Sequence, residues 1–225
     1  MTLQHVDMVF QLIAFLFAIS VHESAHAWTA NRRGDPTARM LGRVSLNPIR
    51  HIDPIGTVLM PIIAMVTGFP TIGWAKPTPV DPRNFKNPVL DDVLTSVAGP
   101  ISNFIVATGA TILLASIALL GRDARFIMQS ALNGVAVGDS FLVPASLLLY
   151  EFVVINVLLA VFNLIPIPPL DGSHVLRHFL SENVRKVYDM VGVFGLMALL
   201  FFGGNLLSGL IRPVLLLYRS ILMRI

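Results

Sequence analysis

A chain of 225 residues is long enough for one sizeable domain, but 55% of it is hydrophobic and only 13% charged, at a mean hydropathy of +0.75. Soluble chains run at about 45–50% apolar and about 25% charged, so this composition belongs in a lipid bilayer and excludes disordered and collagen-like classes. The absence of cysteine excludes a disulfide scaffold and leaves His, Asp and Glu as the side chains for any metal site, while a formal charge of +3 without a basic, aromatic-interleaved groove argues for membrane orientation, not nucleic-acid binding.

The chain opens, from Met1 to Asp7, without the positive region of a cleavable signal and without a lipidation motif, so the first apolar stretch is expected to stay as a membrane span. A span needs about 20 mainly apolar residues, which predicts membrane helices near 8–30, 91–120, 142–166 and 187–210. Inside the first stands His22-Glu23-Ser24-Ala25-His26. On a helix the two imidazoles, four residues apart, share a face and can reach one ion, with the adjacent glutamate left to handle a water. Charged and imidazole groups in an apolar span carry a desolvation cost and are functional candidates; the plainer alternative is a polar face packed between helices.

Between the first span and residue 52 lie five arginines, and Arg39 to Leu46 is expected as a short hairpin or edge strand. Asp53-Pro54 has the form of a helix start, with Asp as N-cap and Pro at the first position. The apolar stretch 54–69 that follows is interrupted by Pro61, so a crossing and a re-entrant dip both stay open. Gly73 to Arg83 carries too many prolines for a helix. The span 91–120 contains Gly99-Pro100-Ile101-Ser102-Asn103. The span 142–166 contains Glu151 and runs into Asn163-Leu-Ile-Pro-Ile-Pro-Pro-Leu-Asp171-Gly172, whose prolines break the helix and release backbone carbonyls. Such irregular backbone survives at membrane depth only in a protein-buried or wet cavity. After Gly203-Gly204 the chain forms either another span or an interfacial helix. The whole reads as a single domain, 1–225, all-α and polytopic, with four to six crossings, a re-entrant segment and short membrane-associated strands.

A catalytic zinc takes three protein ligands and keeps one position open, so His22 and His26 need a partner. Asp171 is the best candidate, with a helix N-cap as its plainer role; Asp171, His174 and His178 also share a helical face and form a rival group. His51 and Asp53 read as loop and cap residues, and Glu151 faces a cavity or a polar neighbour.

With the H-E-x-x-H at 22–26 and the N-x-x-P-x-P-P-L-D-G run at 163–172, the chain resembles the site-2 proteases, intramembrane zinc metalloproteases. Gly99 to Asn103, Leu46 to Gly56 and Asp81 to Phe85 add to the resemblance, which covers most of 20–176. It implies one zinc per chain held by His22, His26 and Asp171, Glu23 as general base and acid, and Asn163 holding the substrate strand or the oxyanion. Asn103 matches a recurrent position for which helix packing is the plainer role. The resemblance also implies transmembrane proteins as substrates, in a compact branch without the PDZ or CBS modules found elsewhere in the family. An unwound substrate helix is expected to add as a strand to Arg39–Leu46 or Trp74–Val80.

A parity argument is independent of that resemblance. If the first span runs outside to inside, His22 and the segment after 142–166 reach the same side only when one upward crossing intervenes. Eleven Lys and Arg, all within 32–86 and 177–186, then fall inside and only Arg122 and Arg125 outside, with Arg212, Arg219 and Arg224 unassigned, an asymmetry that the positive-inside bias predicts. This predicts a site toward the cytoplasmic side, and the resemblance implies a prokaryotic cytoplasmic membrane. Two other classes remain: a metal transporter using His22, His26 and Asp171 as a transit site, and a catalytically silent scaffold for membrane helices. Substitution of Glu23 separates them.

Overall fold

A computed structural model describes residues 3–60, 63 and 74–225. The helices are α1 (Leu3–Arg33), α2 (Thr37–Met40), α3 (Pro88–Ala118), α4 (Arg122–Ala131), α5 (Leu142–Asn163), α6 (Asp171–Arg177), α7 (Glu182–Phe202) and α8 (Gly204–Met223). Single turns occupy Pro48–Arg50 and Pro82–Asn84, and a wider π-type turn occupies Pro54–Leu59. Among the described residues four helices are long and apolar enough to cross a membrane: Val6–Arg33, Pro88–Ala118, Leu142–Asn163 and Gly204–Met223.

The first three match the expected spans. The fourth does not, because the expected 187–210 helix is cut at Gly203, where α7 ends and α8 begins. Arg185, Lys186 and Asp189 charge the start of α7, and the long apolar run falls on α8 instead. The expected strands are likewise absent among the described residues. Arg39 and Met40 belong to α2, which closes on Gly42 at φ +68°, a conformation natural to glycine. The N–H groups of Met40, Leu41, Gly42 and Arg43 all bond to carbonyls within 36–39, so none is left for a ladder there. In Trp74–Val80 the prolines at 77 and 79 remove two donors, and the segment runs extended without pairing as a strand. Of the stretch 54–69, Pro54–Leu59 turns as described; most of the remainder, and with it the choice between dip and crossing, lies outside the described residues.

The chain divides into two compact units, and the divisions fall within α1 and α3. The unit made of residues up to Ala18 and Pro100–Ile225 has its core on one face of α3, where Ala107, Ala110, Leu114 and Ala118 meet Met128 of α4, Val153 and Val157 of α5 and Leu222 of α8. Three alanines among those four positions let helices approach closely, the packing mode available where lipid supplies no hydrophobic drive between helices. Asn103 and Asn156, both fully buried, join α3 to α5: Asn103 Nδ2 donates to Asn156 Oδ1 at 2.8 Å and to Ala18 O at 3.2 Å, and Asn156 Nδ2 donates to Phe152 O at 2.8 Å. Phe17 meets Phe152 edge-on at 5.2 Å. Glu151 finds its polar neighbour in Gln11, which also donates to Asp7 at 3.1 Å.

In the unit Ile19–Gly99 the second half of α1 is followed by loops tied to one another by buried polar groups. Asp35 accepts hydrogen bonds from Thr37 N at 3.1 Å, Asp81 N at 2.8 Å and Asn84 Nδ2 at 2.9 Å. Burial acts to raise its pKa, but these donors outweigh it and hold the carboxyl below the ordinary value. Asp81 is held at about 2 by the hydrogen bonds from Arg83. His51, fully buried, places Nε2 2.7 Å from Ser45 O, and its carbonyl accepts from Lys76 N at 2.9 Å. Asp53 caps Ile55 N and Gly56 N at 3.0 and 2.7 Å, with Pro54 at the first position as the sequence predicts.

Candidate metal centre

The second half of α1 carries the H-E-x-x-H residues, and its helical repeat sets His22 and His26 one turn apart on one face. Both are buried, each 7% exposed, with ring centroids 4.6 Å apart and planes at 82°. His26 Nδ1 lies 2.7 Å from Thr95 O. A carbonyl only accepts, so Nδ1 carries the proton and donates, and the lone pair of the ring stays on Nε2.

That nitrogen points at Gly99. A Cβ placed on Gly99 would stand 2.4 Å from His26 Nε2 and 2.6 Å from both Cε1 and Nε2 of His22. Both Nε2 atoms therefore pack closely over the α3 backbone at residue 99, an approach possible only because residue 99 has no side chain. Two imidazoles one helical turn apart, with Nε2 of His26 left unprotonated, are donors of the kind that zinc takes at about 2.0–2.1 Å.

Glu23, half-buried beside His22, is held by a segment that the sequence marks only as irregular. Thr78 N donates to Glu23 Oε2 at 2.8 Å, and Thr78 Oγ1 donates to Glu23 O at 3.0 Å. Thr78, Thr95 and Gly99 are thus the neighbours that sequence reasoning missed. Gly99 was visible as half of a Gly-Pro pair; Thr78 had no signal beyond its flanking prolines, and Thr95 contributes a carbonyl that any residue has.

In the other unit Asn163 is the last residue of α5, and its Nδ2 donates to Leu159 O at 3.0 Å, leaving one amide N–H for another acceptor. The proline run beyond it is held from α7: Tyr188 donates to Pro166 O at 2.9 Å, and a Cβ on Gly192 would meet Pro168 Cβ at 2.4 Å. Asp171 is the first residue of α6 and not its N-cap, which is Leu170 with no side-chain cap. Gly172 fixes this start, since a Cβ there would stand 2.2 Å from Leu164 O. His174 lies in the last turn of α6 and His178 at its C-cap. Asn103, a recurrent position in the resemblance, is used in the buried clamp to Asn156.

The profile of peptidase family M50 matches residues 10–202. The chain is 36% identical over 193 residues to "Putative zinc metalloprotease YwhC" of Bacillus subtilis, covering 86% of this chain and 79% of that protein. It is also similar to the proteins named "Putative zinc metalloprotease Rip2" of Mycolicibacterium smegmatis and Mycobacterium tuberculosis, at 26% and 28% identity over 82% and 85% of this chain; it spans 62% and 65% of their lengths. No solved structure matches. The profile covers far more than half of the chain, on the stretch that carries the paired imidazoles and the proline run, and it decides against the transporter and scaffold readings: the chain belongs to peptidase family M50, the site-2 protease family of zinc metalloproteases.

Proposed function

We propose that this M50 peptidase is an intramembrane endopeptidase that hydrolyses peptide bonds within or beside transmembrane helices of other membrane proteins, with one zinc ion held by His22, His26 and Asp171. The observation that carries the reading is the close approach of both His22 Nε2 and His26 Nε2 to Gly99, from a helix apolar enough to span a membrane. Two imidazoles and a carboxylate are a donor set of catalytic zinc enzymes, which supports this choice of ligands. Bound zinc supplies a Lewis acid for the scissile carbonyl and lowers the pKa of water toward about 7.

The remaining work falls to the chain's own residues. Glu23 takes the proton of the attacking water and returns it to the leaving amine, and the second amide N–H of Asn163 donates to the oxyanion. Asn163 donates once to its own helix, so it is anchored while it does so. The substrate helix has to unwind first, because its carbonyls are already hydrogen-bonded. The clustering of Lys and Arg in 32–86 and 177–186 supports a site toward the cytoplasmic side of the cytoplasmic membrane.

Purified protein in detergent, tested for zinc content and for cleavage of membrane-helix substrates, checks the assignment. Glu23→Gln is expected to keep zinc and lose about 10²–10⁴-fold in rate. Asp171→Ala is expected to lose both zinc and cleavage. Zinc and activity retained in Asp171→Ala would remove the third ligand.

A further inference from the structure

We infer that Thr78 is a positioning residue for Glu23: its backbone N–H fixes one carboxylate oxygen, so that the other is presented as the proton acceptor. This rests on the proposed role of Glu23 and goes beyond it by naming what orients the carboxylate. A glutamate on a helix has three side-chain torsions, and a general base has to be held in one productive geometry. The hydrogen bond from Thr78 N to Oε2, at 2.8 Å, removes most of that freedom, and the hydroxyl's bond to Glu23 O, at 3.0 Å, ties the same residue to the backbone beneath it. Two bonds between one pair of residues set an orientation that a single bond would leave free to pivot.

The segment bearing Thr78 is itself braced at both ends. On one side Trp74 N donates to Gly56 O at 3.3 Å, Thr57 Oγ1 donates to Trp74 O at 2.7 Å, and Lys76 N donates to His51 O. The Trp74 ring sits so close to Gly56 that a Cβ there would meet it at 2.4 Å. On the other side Asp81 N donates to Asp35 Oδ2 at 2.8 Å. Between these anchors Pro77 and Pro79 each restrict φ to about −65° and lack an N–H. Thr78 therefore carries the single amide proton of Pro77–Pro79, and the structure delivers that proton to Glu23.

The same arithmetic makes the contact measurable without any reaction. Hydrogen exchange in 77–79 reports one amide. In metal-free protein the Thr78 amide is expected to exchange at least tenfold faster in Glu23→Ala than in wild type, while Glu23→Gln, which keeps an acceptor oxygen, stays near wild type. Unchanged exchange in Glu23→Ala overturns the inference. Turnover is then read on a fluorescein-labelled single-transmembrane-helix peptide in detergent. Thr78→Ser keeps both donors and is expected within about twofold of wild type. Thr78→Val loses the hydroxyl bond and is expected to lower kcat several-fold, and Thr78→Pro, which removes both donors, at least tenfold, each with KM and zinc content unchanged. A parallel fall of zinc content, or of thermal stability, with kcat would make the segment a mere brace and overturn the inference, as would unchanged kcat. Wild-type protein without Glu23-dependent cleavage would instead refute the peptidase mechanism, and the exchange measurement still decides the contact.

Discussion

Replacing Gly99 by alanine adds one methyl group, and the structure says where it goes. The new Cβ would stand 2.4 Å from His26 Nε2 and 2.6 Å from His22 Cε1 and Nε2, short by 0.8 to 1.0 Å of the 3.4 Å at which ordinary contact begins. The clash is with stiff rings and not with the end of a flexible chain. His26 is further restrained by its bond to Thr95 O, so α3 and α1 have to part or the rings have to turn. Overpacking of this kind costs about 1–3 kcal/mol. If the rings turn to admit the methyl, their nitrogens leave the arrangement that holds the ion, and the same cost appears in zinc binding as about a 5- to 150-fold weaker affinity. Helix propensity acts in the opposite sense, since alanine is favoured over glycine by about 1 kcal/mol in a helix interior. Metal-free Gly99→Ala should therefore lose less thermal stability than it loses in zinc affinity. Competition with a chromophoric chelator measures the affinity, and circular dichroism in the same detergent measures the melting of the apo form. Wild-type zinc affinity in a folded Gly99→Ala protein would refute the argument that the metal-binding imidazoles are seated against this residue.

Other consequences follow from the same contacts. Asn103→Ala leaves Asn156 Oδ1 and Ala18 O without their buried donor and should lower stability by about 1–3 kcal/mol, read from denaturation in detergent, with zinc stoichiometry unchanged. Asp35→Asn sets an amide among the donors of Asp81 and Asn84 and should loosen the loops, seen as faster tryptic cleavage at Arg39, Arg43 or Arg50. Asp35 and Asp81 have folded pKa values below the ordinary 3.8, so their contribution is complete above that pH and is lost as pH falls through the folded values, about 2 for Asp81. Tryptophan fluorescence of the Trp74 segment should accordingly begin to change only below about pH 3.8, and a transition near neutrality would contradict this assignment. Chelation should abolish cleavage and re-addition of zinc restore it, whereas activity surviving in the metal-depleted protein would exclude a metal-dependent step.

Local rules made much of this protein legible from its residues. Three long apolar helices, the N-cap at Asp53 and the pairing of His22 with His26 depend on hydropathy, on one carboxylate next to a proline, and on a repeat of 3.6 residues. The expectations that failed depended on partners. Arg39–Leu46 has strand-like composition, but its amides find carbonyls a few residues away before any strand can offer them. The boundary between α7 and α8 also escaped hydropathy, because a two-glycine break inside an apolar run ends one helix and starts the next without changing polarity.

Sequence by itself determined that the chain is a membrane protein with H-E-x-x-H on its first span, since donor types, helical spacing and apolar length are properties of neighbouring residues, and the match to the M50 profile made it a metallopeptidase. Only tertiary structure decided what surrounds those donors: that Gly99 lets both imidazoles pack against α3, that Thr95 fixes the tautomer of His26, and that Thr78 grips Glu23. Each of these is an approach between residues 55 to 77 positions apart, made by a backbone atom or by a missing side chain, and neither leaves a periodic mark in a sequence.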